Sequence, residues 1–158
     1  MRWLLALLLL LPAPALAADQ HYVNVRYGYA IDVPPGFIGQ GEADNGDGQV
    51  FKAPTATLTV YGGNVVEADF EAEVRAREGY STSDGWTLTY QVSTPRNASW
   101  SAVRGGRVLY ARMMALCSGK QFAAFALEYS RADLTKFNPI VDGLVASLAA
   151  TDRSAMCQ

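Results

Sequence analysis

Between Trp86 and Tyr129 the chain repeats every second residue, and this stretch constrains the fold more than any other. Trp86, Leu88, Tyr90 and Val92 alternate with Thr87, Thr89, Gln91 and Ser93. That is the period of a strand with one covered face. Pro95-Arg96-Asn97 interrupts the pattern, and a strand resumes near 98–104. Gly105-Gly106 then predicts a two-residue hairpin loop, because glycine takes the positive φ of such loops without a steric cost. A long strand near 107–117, a turn at Ser118-Gly119 and a strand near 121–129 complete a meander. Phe122 to Leu127 form an unbroken apolar run, expected of a central strand covered on both faces.

Upstream, Tyr27, Tyr29, Ile31 and Val33 alternate with smaller or polar residues, and Pro34-Pro35-Gly36 closes that strand. Residues 41–48 read as a polar, turn-rich loop, followed by short strands near 49–53 and 56–62. The period changes over 67–79. Phe70 and Val74 lie four apart, Glu71–Arg75 and Glu73–Arg77 are acid-first pairs at helical spacing, and Gly79 is expected to end the helix. A last helix is expected near 138–149, with Asn138 as its cap and Pro139 at its first position. Residues 131–136 can add a short turn before it. Hairpins between most strands, one helix after the first strands and one at the end predict an α+β domain, a central antiparallel sheet carrying both helices. A chain of 158 residues, 50% hydrophobic and 18% charged, makes one core-bearing domain and excludes a disordered chain.

Residues 1–17 read as an export signal. Arg2 opens it, Leu4 to Leu11 supply the apolar stretch, and Ala15-Leu16-Ala17 is a small-x-small cleavage site. The run is too short to span about 30 Å of hydrocarbon. The expected mature unit is therefore a single domain over 18–158 with no membrane span, periplasmic or secreted. Without Arg2 it carries twelve basic and fifteen acidic residues, a formal charge of −3. No basic field exists to hold nucleic acid. Cys117 and Cys157 are the only cysteines, and an even pair in an oxidising compartment is expected to form one disulfide. Closing that loop of about 40 residues is worth roughly 3–4 kcal/mol in chain entropy.

The search for chemistry is short. His21 is the only histidine and is expected to be a solvated residue near the mature terminus, so no Ser-His-Asp or Cys-His nucleophile can be assembled without it. The carboxylates nearest to a metal pattern are Glu42, Asp44 and Asp47 in the polar loop, a calcium candidate whose spacing departs from the EF-hand. Asp32 and Glu128 are the candidate pair for carboxylate hydrolysis, each also able to pair with a strand arginine such as Arg26, Arg104 or Arg112. Aromatic side chains on an open sheet face bind ligands or partners, and Tyr61, Trp100 and Tyr110 are the candidates for that role.

The run Tyr27-Gly28-Tyr29-Ala30-Ile31-Asp32-Val33-Pro34-Pro35-Gly36-Phe37 resembles the opening strand of small exported bacterial domains of the PsbP-like type. Gly46 to Phe51 and Leu58 to Gly62 look like the next strands of that pattern, and Leu127-Glu128-Tyr129, Phe137 to Val141 and Ser147-Leu148 like its last strand and helix. The resemblance spans most of 22–149. It implies a sandwich with a central antiparallel sheet and a non-catalytic accessory or interaction role, and it carries over no catalytic residues and no cofactor. The leading expectation is a soluble periplasmic binding or accessory module for an envelope protein or a small ligand. The alternatives are a small envelope hydrolase using paired carboxylates and a calcium-dependent interaction module.

Overall fold

The computed structural model describes residues 20–152 and Cys157. The leader expected over 1–17 lies outside them. Among the described residues the strands and helices run β1 (Gln20–Asn24), β2 (Tyr29–Val33), β3 (Ile38–Glu42), β4 (Gly48–Ala53), β5 (Ala56–Asn64), α1 (Phe70–Thr82), β6 (Thr87–Ser93), β7 (Asn97–Arg104), β8 (Arg107–Leu116), β9 (Gln121–Ser130), α2 (Leu134–Ser147) and β10 (Ala149–Ala150). Seven strands form one antiparallel sheet in the order β3-β4-β5-β9-β8-β7-β6, and β1-β2-β10 form a small second sheet.

Each face of the large sheet is covered differently. On one face Leu58, Val60, Phe125 and Leu127 pack against Tyr29 and Ile31 of the small sheet and against Phe137, Val141 and Leu144 of α2. On the other, Phe70 and Val74 of α1 pack against Trp100, Met113 and Phe122. The apolar run in β9 explains why this strand is central: Phe122 serves one core and Phe125 the other, and both are fully buried. The Gly105-Gly106 hairpin forms as expected, with Gly105 at φ +54° and Arg104 paired to Arg107.

The helices differ from the sequence expectation in their ends. Asp69 caps α1 by accepting the Ala72 N–H at 2.8 Å, and Gly79 lies inside this helix, which continues to Thr82. Asn138 does not cap α2. That helix starts four residues earlier, at Leu134, and Pro139 lies within it. Pro139 forgoes one bond, to the Thr135 carbonyl. The stacking of Phe137 on Tyr129, with centroids 4.6 Å apart, anchors the same turn. The N-terminal stretch also departs from expectation. It is not frayed at His21, because β1 pairs along the whole of β2 with His21 opposite Asp32.

Candidate functional site

The open part of the large sheet lies at its β6 end. By register, Val92, Ser99 and Arg112 share one row across β6, β7 and β8, and Tyr90, Ser101 and Tyr110 share the next. This face is the one that α2 covers elsewhere, but Tyr90 and Val92 remain 50% and 45% exposed. A bulge in β6 shapes the opening. Leu88 pairs with Ala102 and Tyr90 with Ser101, so Thr89 is an extra residue. Its hydroxyl lies 2.9 Å from the Ser101 Oγ, which brings Thr89 onto the face that Tyr90 occupies. Bulges re-aim side chains in this way.

Between this face and α2 runs a groove of about 550 Å³. Thr89, Tyr90, Ser101 and Tyr110 line its sheet side, and Leu134, Asn138, Val141 and Asp142 line its helix side, with Tyr129 and Arg131 between them. The helical residues recur at spacings of four, three and one, a single face of α2. Tyr110 stacks on Phe125 at 6.1 Å and Tyr129 on Phe137 at 4.6 Å, so both rings are held before anything binds. Burial pushes the Tyr129 phenol above its ordinary pKa, and nearby Tyr110 adds to the shift. Tyr129 therefore offers a neutral hydroxyl at ordinary pH. Aromatic faces, apolar aliphatic groups and a few polar tips are what small-ligand sites are commonly made of.

Of the three aromatic candidates, Tyr110 lines this groove and the other two do not. Trp100 is only 2% exposed. It lies under α1, and its indole N–H donates to Ser81 Oγ at 3.0 Å. Tyr61 is half-buried on that side too, edge-on to Phe122 at 6.0 Å. Alternation places these rings on a sheet face correctly, but α1 covers that face. Sequence reasoning misses Thr89, Tyr129, Asn138 and Asp142 as site residues. The spacing of Leu134, Asn138 and Val141 is the available signal, hidden when Pro139 is taken as a helix start.

The carboxylate candidates are not gathered. Asp32, in the small sheet, meets His21 Nδ1 at 2.6 Å. Glu128, in the large sheet, meets Arg107 Nε at 2.9 Å. They belong to separate sheets with separate partners, and neither partner is Arg26, Arg104 or Arg112. Arg104 instead lies over the Trp86 ring at 4.6 Å, and Arg26 donates to the Asn45 carbonyl. In the polar loop, Glu42 accepts the Tyr22 hydroxyl at 2.9 Å and the Asn24 amide at 3.1 Å. Asp47 accepts the Asn45 amide at 2.8 Å. Among the described residues no three of His, Cys, Asp and Glu converge as metal ligands. Cys117 and Cys157 stand at disulfide distance, with Cα atoms 5.2 Å apart. No helix among the described residues is long and apolar enough to cross a membrane.

No family model and no curated protein matches the chain. Solved structures do. The chain is similar to cyanobacterial PsbP (CyanoP) from Synechocystis sp. PCC 6803, at 16% identity and a TM-score of 0.63, over 89% of this chain and 96% of that one. It is also similar to the Saccharomyces cerevisiae Ran-binding protein Mog1p and to a point mutant of Mog1, each at 11% identity and a TM-score of 0.62, over 87% of this chain and 98% of theirs. Identities this low speak for architecture alone: antiparallel sheets carrying two helices in the manner of PsbP and Mog1.

Proposed function

We propose that this chain is a non-catalytic binding or accessory module of an exported compartment, and that it holds a small ligand in the groove between the β6–β8 face and α2. The observation that carries this reading is the convergence of Tyr90, Tyr110 and Tyr129 on one groove of about 550 Å³, a volume suited to a small organic molecule. The leader pattern of residues 1–17 and the cysteine pair support export. Mog1p, which shares this architecture, is a Ran-binding protein, and this supports a binding role. Asp32 and Glu128, each held by its own partner on a different sheet, argue against hydrolysis by that pair.

The test is a small-molecule screen by thermal shift on the purified protein, repeated with Tyr110→Ala. Ligands bound in the groove raise the wild-type Tm and lose most of that shift in the variant. Hits that stabilise both proteins equally would place binding elsewhere.

A second reading has an observation of its own. β6 ends the large sheet, every residue in it is exposed, and Thr87–Ser93 carries no charge. Such an edge can accept an added strand from a protein partner, although its bulge shortens the regular stretch. Crosslinking in the native compartment, with and without Gln91→Pro, separates this reading from the groove.

A further inference from the structure

The groove carries one charge of each sign along its helix wall. Arg131 and Asp142 are the charged residues that line it. Arg131 opens the short turn Arg131–Asp133 that leads into α2. Asp142 stands eight residues beyond Leu134, where the helix begins. Eight residues of helix rise about 12 Å, so the two charges belong to opposite ends of the groove. Both residues are exposed. The ion pairs among the described residues are His21–Asp32, Arg77–Glu73 and Arg107–Glu128, so neither Arg131 nor Asp142 is neutralised by a neighbour. Asn138 also lines the groove, one helical turn before Asp142 on the same face. Its amide can both donate and accept.

We propose that the ligand of the groove is a short peptide with free ends, its carboxylate on Arg131 and its ammonium on Asp142. This rests on the groove being the binding site. Opposite charges held apart and left unpaired favour a molecule that carries both signs at a matching separation. An extended chain advances about 3.4 Å per residue, so a tripeptide sets its two charges about 10 Å apart. That length suits two side chains leaning in from backbone positions about 12 Å apart, and a free amino acid cannot reach both. The middle residue then faces the Tyr90 and Tyr110 rings, which favour an aromatic or apolar side chain. Asn138 and the Tyr129 hydroxyl supply polar atoms for the peptide backbone.

The experiment is titration of the purified protein by calorimetry at constant, low ionic strength. The probes are the tripeptide alanyl-phenylalanyl-alanine, its N-acetylated, C-amidated and doubly blocked forms, and phenylalanine. Blocking either end is expected to weaken binding about fivefold, the upper range for an exposed ion pair. Phenylalanine should bind more weakly than the free tripeptide. Arg131→Gln should remove the penalty of amidation and leave that of acetylation. Asp142→Asn should do the reverse. A merely structural role would not produce this crossed pattern, and an unchanged Tm in both variants confirms folding. Tyr110→Ala should weaken free and blocked peptides alike. If the doubly blocked peptide binds as tightly as the free one, or if both penalties survive in both variants, the charged anchors are overturned, while the Tyr110→Ala arm still supports the groove. No binding of any peptide overturns the peptide ligand, and the thermal-shift screen then decides the groove itself.

Discussion

Glu73 shows how much a single residue can hide in a helical pattern. Its pairing with Arg77 is legible, since acid-first spacing of four is a surface-helix signature, and the Arg77 Nε does lie 2.8 Å from Glu73 Oε1. Its burial is not legible. Glu73 is 1% exposed and turns back to accept the N–H groups of Val66 at 3.0 Å and Glu67 at 3.3 Å. Burial alone would raise its carboxyl. The backbone donors and Arg77 outweigh burial and hold the pKa below the ordinary value. A depressed carboxyl stabilises the fold above the unfolded pKa, and that contribution disappears as pH falls through the folded one. Glu73→Gln, which keeps the shape but loses the charge and one acceptor, is expected to cost about 1–3 kcal/mol at pH 7. Denaturant titrations at pH 7 and in mild acid check it, and the gap between wild type and variant should narrow in acid. Trp100 teaches the same lesson. Alternation along β7 assigns it to a face, but only the position of α1 decides that the face is buried.

At the scale of elements, the strands that alternate cleanly can be read from the sequence, and so can the tight hairpin between β7 and β8. Edges and irregularities cannot. β3 is an edge strand with two glycines, Gly39 and Gly41, and a shifted register, so it resembles a loop by composition. The bulge at Thr89 leaves no mark in an alternating sequence, although it decides which β6 side chains reach the groove. Gly48 belongs by composition to the polar loop, but it opens β4 opposite Tyr61 of β5. There the backbones approach so closely that an added Cβ would fall 1.9 Å from the Val60 carbonyl oxygen. Backbone cannot swing aside as a side-chain tip can. Gly48→Ala is therefore expected to destabilise the protein by at least ~2 kcal/mol, an overpacking cost at the upper end of the usual range. Hydrogen exchange should show the loss concentrated in the β4–β5 amides. A variant with unchanged Tm and protection would mean that the two strands can separate at no cost.

The whole molecule depends on how the small sheet is tied to the large one, and little of this is legible because the ties join residues far apart in sequence. One tie is polar. Tyr22 and Asn24 of β1 bind Glu42, and Asn24 also donates to the Gly46 carbonyl at 3.0 Å. Burial and the Glu42 carboxylate, against the Asn24 amide, push the Tyr22 phenol up to about 12. Because the folded pKa lies above the unfolded value of about 10, its contribution is fully present below about pH 10 and is lost as pH rises through about 12. Unfolding midpoints should stay level from neutrality to about pH 9 and then fall, with a shallower fall in Tyr22→Phe. The second tie runs through the end of the chain. β10 pairs with β2, and the Thr151 N–H donates to the Gly28 carbonyl at 2.8 Å. Cys157 then reaches Cys117 at the end of β8, 40 residues back. This pairing is legible from cysteine count alone. Its consequence is that α2, and with it the helix wall of the groove, is closed into a loop anchored to the large sheet at both ends. Replacing both cysteines by serine should lower stability by about 3–4 kcal/mol, the chain entropy of a loop of this length. Reduced wild type should show the same loss in denaturant titrations. If α2 depends on that closure, hydrogen exchange should quicken in α2 and β10 before it quickens in β8 and β9. Equal acceleration everywhere would mean that the bridge acts on the unfolded chain alone, and an unchanged midpoint would mean that the packing of Phe137, Val141 and Leu144 holds the helix without it.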